Sequence, residues 1–453
     1  QLPLGAYVTF DGHLALAAFL GAIALGVLLA IPVAWLNLRS HLANALQHES
    51  RGATGNRTAQ GLRHGFIVAQ IALALVLLTG AEMLRISLKR LLETSPGFQA
   101  DQVFTGQILL PFSKYPDERV RLAFMERLVE VVRSQPGMVT VGLGTLLPFG
   151  GNDDNGVTSV DDGKEAGAKA LHTAYRNGIV GDYCRVMGIP LVEGRLLENA
   201  DNDRKLRVCL VDQAFARRHW PGRSALGHRL LDGVDFKPDE AFTVVGVVGT
   251  VKQSELADTE PHGTVYYPYK YWPQSAFSLV VRTSMASGSL VPLLRKTVLQ
   301  LDPQLPIDQL KPMQTRLDES LVTRRSPAVI AGIFATIALL LTAVGTYGVL
   351  AYAVSQRQRE IGVRMALGAL PVQISWQFLS LGLRLLAAGT VLGVIGTWVT
   401  GRAMQGLLFN VPALHPATLA GTVSVMAVIS LAACWLPARR AAKVHPMEAL
   451  RAE

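Results

Sequence analysis

The sequence is poor in charge and in cysteine. Of its 453 residues, 17% are charged and 50% are hydrophobic, whereas an ordinary soluble domain carries about 25% charged residues. The apolar content excludes an intrinsically disordered chain, and three cysteines exclude a scaffold held together by disulfides. The mean hydropathy of +0.29 comes from particular windows, which indicates membrane spans rather than one oversized core.

Motifs for catalysis and metal binding are also missing. No G-x-x-x-x-G-K-[ST] phosphate loop is present, so we expect that this chain does not hydrolyse ATP. The ten histidines show neither H-E-x-x-H nor a paired spacing with cysteine, which argues against a metal site. The glycines at 142–151 fit a strand that runs into a loop. We therefore predict no catalytic, cofactor-binding or metal-binding residue, and no enzymatic activity.

Five windows have the length and composition of membrane spans. A helix crosses about 30 Å of hydrocarbon with roughly 20 apolar residues. Five such windows in one chain make a buried core helix a poor explanation for any of them. The predicted spans are residues 14–36, 66–84, 327–353, 373–398 and 415–436.

Basic residues in the short loops predict the orientation. Eleven lie in 37–65, 354–372 and the tail from Pro437, against four acidic residues there. On the other side, 1–13 has no basic residue and 399–414 has one. The positive-inside rule places the basic loops in the cytoplasm, so alternation puts residues 85–326 outside. The net charge of +9 then reports topology and contact with anionic membrane lipid, and we predict no nucleic-acid partner.

The large extracytoplasmic domain is predicted to be mixed α/β. A strand at 103–110, a helix at 117–134 with apolar residues every 3.6 positions, and a strand at 139–147 form one β–α–β unit. Strand 277–283, a helix at 288–301 and a short strand near Ile307–Leu310 form another. We predict that both units share one sheet and that residues 171–273, with strands at 242–251 and 264–269, form an inserted second lobe.

Four isolated residues invite a functional interpretation but have simpler ones. Cys184 and Cys209 both lie in the outer domain and could bridge, but their spacing fixes no geometry, so two unpaired thiols are favoured. Cys434 falls in a span and fits plain packing. Arg384 lies about halfway along its span, where snorkelling or an internal ion pair is the simpler account and a substrate site the alternative.

The segment SQRQREIGVRMALGALP (355–371) is the most informative part of the chain. It is short, basic and amphipathic, which is typical of a helix that lies in the membrane interface and offers one face to lipid or to a partner. A plain interpretation is a basic loop that only sets orientation. Glu360 is repelled by anionic headgroups, so it indicates either a protein partner or an internal pair with Arg357 or Arg364.

These residues resemble a known family. SQRQREIGVRMALGA (355–369) is similar to the stretch after the second span of MacB/FtsX-type ABC transporter permeases, and PARRAAKVHPMEALRAE (437–453) is similar to their ending. GIPLVEGR (188–195), VDQAFARRHWPGRSALGHRL (211–230) and FTVVGVVGTVK (242–252) resemble the MacB-type periplasmic domain. Glu82 departs from the pattern, since a small or apolar residue is expected there.

The resemblance implies a domain organisation. Residues 1–61 look like the last span (14–36) and cytoplasmic linker of a preceding permease unit, as in duplicated orphan permeases of the ADOP type, so the chain looks like part of a longer one. The first span of this unit is then 62–84. An extracytoplasmic MacB-type domain follows at 85–326, with a porter-like lobe (85–170 and 274–326) and the lobe 171–273. An FtsX-like three-span domain (327–436) and a cytoplasmic tail (437–453) complete a multi-pass protein of the cytoplasmic (inner) membrane.

The resemblance also implies a mechanism and partners. A separate cytoplasmic ATPase binds ATP, and its motion is transmitted to the outer domain for efflux or extraction of a substrate, with no cofactor in this chain. A second permease unit is expected, within a longer chain or as a homodimer. One alternative is an FtsX-like mechanotransmitter that does not transport but regulates an outer partner such as a cell-wall hydrolase, and another is a membrane-bound sensor. The expected ATPase-coupling residues are Arg357, Arg359, Glu360, Ile361, Arg364, Met365, Leu367 and Gly368. A secondary cytoplasmic contact is expected at Pro446, Met447, Glu448 and Leu450.

Overall fold

The computed structural model describes residues 16, 19, 20, 23, 54–151, 154–161, 172–202, 206–232, 240–409, 411, 412 and 414–441. Leu91–Val322 form one compact unit, and the helices before and after this segment belong to another. The predicted span at 14–36 lies outside the described residues, apart from four isolated positions, and so does the tail after Ala441.

The helices follow the apolar periodicity of the sequence. The predicted helices at 117–134 and 288–301 are confirmed as α2 and α5, and the predicted segment 355–371 contains the short helix α8. The continuous described stretches contain α1 (Thr54–Leu92), α2 (Glu118–Arg133), α3 (Tyr183–Val186), α4 (Gln213–His219), α5 (Ser287–Leu301), α6 (Met313–Ser320), α7 (Val322–Gln356), α8 (Gln358–Ala366), α9 (Pro371–Ala403) and α10 (Pro416–Ala441).

The strands of Leu91–Val322 belong to one continuous set of pairings in the order β11-β1-β10-β2-β4-β3-β7-β8-β6-β9, with β5 beside β8. They are β1 (Val103–Leu109), β2 (Met138–Gly144), β3 (Asn155–Asp161), β4 (His172–Gly181), β5 (Leu191–Gly194), β6 (Val208–Asp212), β7 (Arg229–Asp232), β8 (Phe242–Val248), β9 (Thr264–Pro268), β10 (Ala276–Thr283) and β11 (Asp308–Pro312).

The two β–α–β units share one sheet, as predicted. Strand β10 lies between β1 and β2 and pairs antiparallel with both, from Val103 opposite Arg282 to Leu109 opposite Ala276 on the β1 side. Helices α2 and α5 pack on this sheet through an apolar core, because their inward positions recur at helical spacing. That core includes Met125, Leu128, Val132, Leu290, Leu294 and Val298.

Six of the remaining strands form a ring, and β5 lies beside it on β8. Strand β9 pairs with β6 and also, in parallel, with β4, so the path β4-β3-β7-β8-β6-β9 returns to its start. A second apolar core fills it, with Cys209, Phe215 and Tyr267 almost fully buried. The ring starts earlier than the predicted insert at 171–273, because β3 pairs with both β4 and β7. Strand β4 also pairs with β2 and joins the ring to the first sheet.

Four helices among the described residues are long and apolar enough to span a membrane: α1, α7, α9 and α10. They contain the predicted spans 66–84, 327–353 and 373–398, and all of 415–436 except its first residue. Helices α1, α9 and α10 pack together through residues such as Ile71, Leu386 and Met426. In contrast, α7 buries only 11% of its most apolar window within the protein, which leaves most of that helix exposed.

Candidate functional site

Helix α8 is bounded by strong local signals. Its amino-terminal end follows a break in helical geometry after α7, and its carboxyl-terminal end is closed by Gly368, whose φ of +95° favours glycine. The Gly368 N–H donates to the Met365 carbonyl (3.1 Å), and the Ala369 N–H donates to the Arg364 carbonyl (3.0 Å). This pair of bonds is the Schellman motif. Pro371 then starts α9, so the chain turns within a few residues into the next span.

The inner face of α8 is anchored to the ends of three spans. Ile361 is 4% exposed, and Met365 is partly buried against the same cluster. These two residues are four positions apart and therefore lie on one side of the helix. They hold α8 in place, so any direct contact of Ile361 with a partner is blocked by its own surroundings. The inner cluster comprises Leu350, Val354, Ile361, Ile374, Phe378, Cys434 and Ala438.

The outer face of α8 is exposed and largely apolar. Glu360, Val363 and Leu367 follow at i, i+3 and i+7, a spacing that places them on one face. Val363 is 45% exposed and Leu367 is 83% exposed, and the neighbouring Leu370 is 61% exposed. We call Glu360, Val363 and Leu367 the outer face. An apolar stripe of this kind is suited to inserting into a groove of a partner or into the membrane interface.

Two charged residues of α8, Glu360 and Arg364, are paired with each other. The Arg364 guanidinium donates to the Glu360 carboxylate and, at 3.1 Å, to the Gln377 Oε1 of α9. The internal alternative for Glu360 is therefore the one observed, with Arg364 rather than Arg357, and Glu360 alone no longer indicates a protein partner. Arg357 is exposed just before α8, whereas the side chain of Arg359 lies outside the described residues.

The structure does not describe the predicted secondary cytoplasmic contact. Pro446, Met447, Glu448 and Leu450 lie outside the described residues. Upstream of them, Arg440 donates to the Tyr347 hydroxyl (2.8 Å), and the Arg63 guanidinium lies 4.1 Å from the centre of the Tyr352 ring. Basic and aromatic side chains at one end of the spans are typical of a membrane interface.

The structure offers no alternative chemical centre in its described part. Within those residues, no group of three or more His, Cys, Asp or Glu side chains is placed to hold a metal ion. Cys184 and Cys209 are unpaired and buried, which confirms the favoured interpretation. Burial raises the pKa of the Cys184 thiol to about 12, so this cysteine is not a reactive thiolate at neutral pH.

The sequence analysis did not name Val363, and it placed Ile361, Met365 and Leu367 in one set, although the structure buries Ile361 and exposes Val363 and Leu367. Ile361 and Met365 are four positions apart, and so are Val363 and Leu367, but the two pairs lie on opposite sides of a helix. The spacing alone could have separated an anchoring pair from an exposed pair. The predicted set therefore includes members of both pairs.

Two family models match the chain. One, described as "MacB-like periplasmic core domain", matches residues 72–311, and the other, "FtsX-like permease C-terminal", matches residues 332–446. The first alone covers more than half of the chain. The boundary between the two matches falls at the end of the sheet domain and the start of α7. The chain therefore combines an extracytoplasmic α/β domain of MacB type with membrane-spanning helices.

Similar curated proteins carry related names. The chain is 27% identical over 292 residues to "Uncharacterized ABC transporter permease YvrN" of Bacillus subtilis, covering 61% of this chain and 69% of that protein. It is 27% identical over 334 residues to "Macrolide export ATP-binding/permease protein MacB" of Chromobacterium violaceum, covering 69% and 50%. It is 26% identical to "Pyoverdine export ATP-binding/permease protein PvdT" of Pseudomonas putida, covering 58% and 41%. The chain thus spans half or less of the two export proteins.

Solved structures show more distant similarity. The periplasmic region of MacB from Actinobacillus actinomycetemcomitans aligns with a TM-score of 0.33 and 19% identity, over 50% of this chain and 95% of that one. The extracellular domain of the transporter YknZ from Gram-positive bacteria aligns with a TM-score of 0.30 and 13% identity, over 45% and 98%.

Proposed function

This chain belongs to the MacB/FtsX-type family of ABC transporter permeases, and from that premise we propose that it transmits the motion of a separate cytoplasmic ATPase to its extracytoplasmic domain. The transmitted motion serves export or extraction of a substrate at the outer face. The names of the similar export proteins, which pair an ATP-binding part with a permease part, support this proposal. ATP is bound by the separate subunit and not by this chain.

One observation carries the proposal: α8 has an anchored inner face and a free outer face. Ile361 is buried against the ends of α7, α9 and α10, so a displacement of α8 is transmitted to three spans. Leu367 is the most exposed large apolar residue of this segment, at 83%. A partner that covers it recovers hydrophobic free energy. We assign ATPase contact to Glu360, Val363, Arg364 and Leu367, and the anchoring of α8 to Ile361 and Met365.

The test is to replace Val363 and Leu367 together with aspartate in the full-length protein. Affinity purification from native membranes, followed by mass spectrometry and an ATP hydrolysis assay, should find an ABC ATPase with the wild type and lose it with the double variant. Burying two carboxylates in an apolar groove is strongly unfavourable. Met365→Asp is unsuitable, because it disturbs the inner cluster and thus the fold.

A matched control changes the same residue types elsewhere. Val139→Asp with Leu206→Asp replaces a valine and a leucine that are 61% and 72% exposed in the extracytoplasmic domain. This control should retain the ATPase in full. If V363D/L367D copurifies with as much ATPase activity as the control does, α8 is not the docking helix. Loss of the ATPase in the control as well would show that the purification reports folding rather than docking.

A further inference from the structure

A cationic cavity lies beside α8, between α1, α7 and α9. Its volume is about 310 Å³. The polar side chains that line it are Gln60, Arg357, Gln377, Ser380 and Arg384. No acidic residue contributes to the lining, so two guanidinium groups and several hydrogen-bonding groups face one small space. This composition fits a phosphate group better than it fits a sugar or an apolar ligand.

Within the described residues, neither arginine is paired with a carboxylate. Arg357 and Arg384 form no ion pair with a carboxylate in the part of the chain that the structure describes. Arg364 lies nearby and is paired with Glu360. Two unpaired guanidinium groups that line one cavity repel each other, and a bound anion removes that cost. An anion that comes from outside this part of the chain would offset that repulsion.

The depth of the cavity indicates where that anion comes from. Trp376 and Trp398 on α9 are 62% and 41% exposed and are separated by about 33 Å of helix, close to the hydrocarbon thickness of about 30 Å. Tryptophan marks the two membrane interfaces. Arg384 lies about 12 Å along the helix from Trp376. Helical side chains tilt toward the amino-terminal end, so Arg384 extends toward Trp376 and the interface at that end of α9.

The surroundings of the cavity are suited to acyl chains. Leu383, next to Arg384, is 36% exposed. Helix α7 carries further exposed apolar residues, such as Leu340 and Val344. A ligand with a phosphate and an apolar body satisfies both environments. Basic pockets between spans on the cytoplasmic side bind lipid headgroups in this way. We propose that the Arg357–Arg384 cavity binds the phosphate of an anionic phospholipid.

The cavity is connected to α8. Gln377 lines the cavity, and its Oε1 accepts a hydrogen bond from Arg364 of α8 at 3.1 Å. A bound headgroup therefore supports the side of α9 on which α8 rests. The proposal depends on membrane insertion and not on ATPase docking, since the lipid is bound by this chain alone.

Native mass spectrometry of the full-length protein tests the proposal. The detergent-purified protein is titrated with phosphatidylglycerol and, separately, with zwitterionic phosphatidylcholine. The wild type should bind the first phosphatidylglycerol in preference to phosphatidylcholine. Arg357→Gln and Arg384→Gln should each weaken that binding by about fivefold, the effect of one basic residue next to an anionic membrane. Arg384→Lys keeps the charge and should retain most of the affinity.

Arg439→Gln is the matched control, because Arg439 lies at the predicted cytoplasmic end of α10 and stacks 5.2 Å from the Trp435 ring, outside the cavity. It should leave phosphatidylglycerol binding unchanged. The proposal would be overturned if the double variant R357Q/R384Q bound phosphatidylglycerol as tightly as the wild type does. It would also be overturned if R439Q lost as much affinity for phosphatidylglycerol as the cavity variants do. Equal binding of phosphatidylcholine and phosphatidylglycerol by the wild type would also overturn it. The elution volume in size-exclusion chromatography checks that each variant is folded. If Arg384→Gln does not fold, the test rests on Arg357→Gln alone.

Discussion

A buried carboxyl group begins helix α4 of the extracytoplasmic domain. Asp212 is fully buried, and its Oδ1 accepts a hydrogen bond from the Phe215 N–H (2.8 Å) as the helix cap. Burial raises its pKa to about 7, against the opposing effect of backbone hydrogen bonds. The unfolded value is about 3.9. Its contribution to stability is therefore fully present below about pH 4 and is lost as the pH rises through about 7.

We predict that α4 opens more readily at pH 8 than at pH 6. Hydrogen exchange of the full-length protein, corrected for the intrinsic rate at each pH, measures this opening. Asp212→Asn keeps a capping side chain and has no ionisable group, so the variant should lose the pH dependence. An unchanged pH dependence in Asp212→Asn would assign it to another group.

Arg316 ties the segment that enters span α7 to the sheet. It is 3% exposed; its Nε donates to the Thr105 hydroxyl of β1 (2.7 Å), and its guanidinium also donates to the Gln309 carbonyl (2.9 Å). Helix α6 leads directly into α7. We predict that Arg316→Met accelerates hydrogen exchange in α6, because lost hydrogen bonds to buried acceptors cost about 1–3 kcal/mol. Arg295→Met, at an exposed position of α5, is the control. Equal α6 exchange in both variants contradicts the assignment.

At the scale of elements, α9 approaches α1 through glycines. A Cβ at Gly389 would lie 2.6 Å from Cγ2 of Ile71 and 3.1 Å from the Val68 carbonyl, and a Cβ at Gly393 would lie 2.8 Å from a methyl group of Leu75. Glycines four residues apart let helix backbones approach closely in a membrane.

We predict that Gly389→Val destabilises the membrane helices by about 1–3 kcal/mol, the usual cost of overpacking. Thermal unfolding in detergent micelles measures the effect. Gly421→Val is matched, because Gly421 also lies on a membrane helix but has no atom within 4 Å of its Cβ position. Similar melting of the two variants would mean that α1 and α9 do not pack at this glycine.

Elements were predictable where the signal is local. The apolar runs predicted α7, α9 and α10, and the helical period of 117–134 predicted α2. The ring of strands was not predictable, because β4 pairs with β9 across about 90 residues and no local pattern encodes that choice. The division of α8 into an anchored inner face and an exposed outer face was predictable from residue spacing. The Arg357–Arg384 cavity was not, because it depends on how three spans pack.

At the scale of the whole molecule, topology can be tested without further structure. Ser355 is exposed just before α8, and Leu206 is exposed in the extracytoplasmic domain. We predict that an impermeant thiol reagent labels Leu206→Cys but not Ser355→Cys in spheroplasts. The three native cysteines are buried and should react slowly. Labelling of Ser355→Cys in spheroplasts would show that the orientation is opposite to the predicted one.

The central claim is that α8 couples the ATPase to the outer domain. Double electron–electron resonance between spin labels at Val139→Cys and Leu206→Cys measures a distance within that domain. We predict that ATP changes this distance in the complex with the copurified ATPase. When the spin-labelled protein also carries V363D/L367D and therefore does not retain the ATPase, ATP should leave the distance at its ATP-free value. A change of equal size in the V363D/L367D background, or no response to ATP in the otherwise unaltered complex, would contradict the claim.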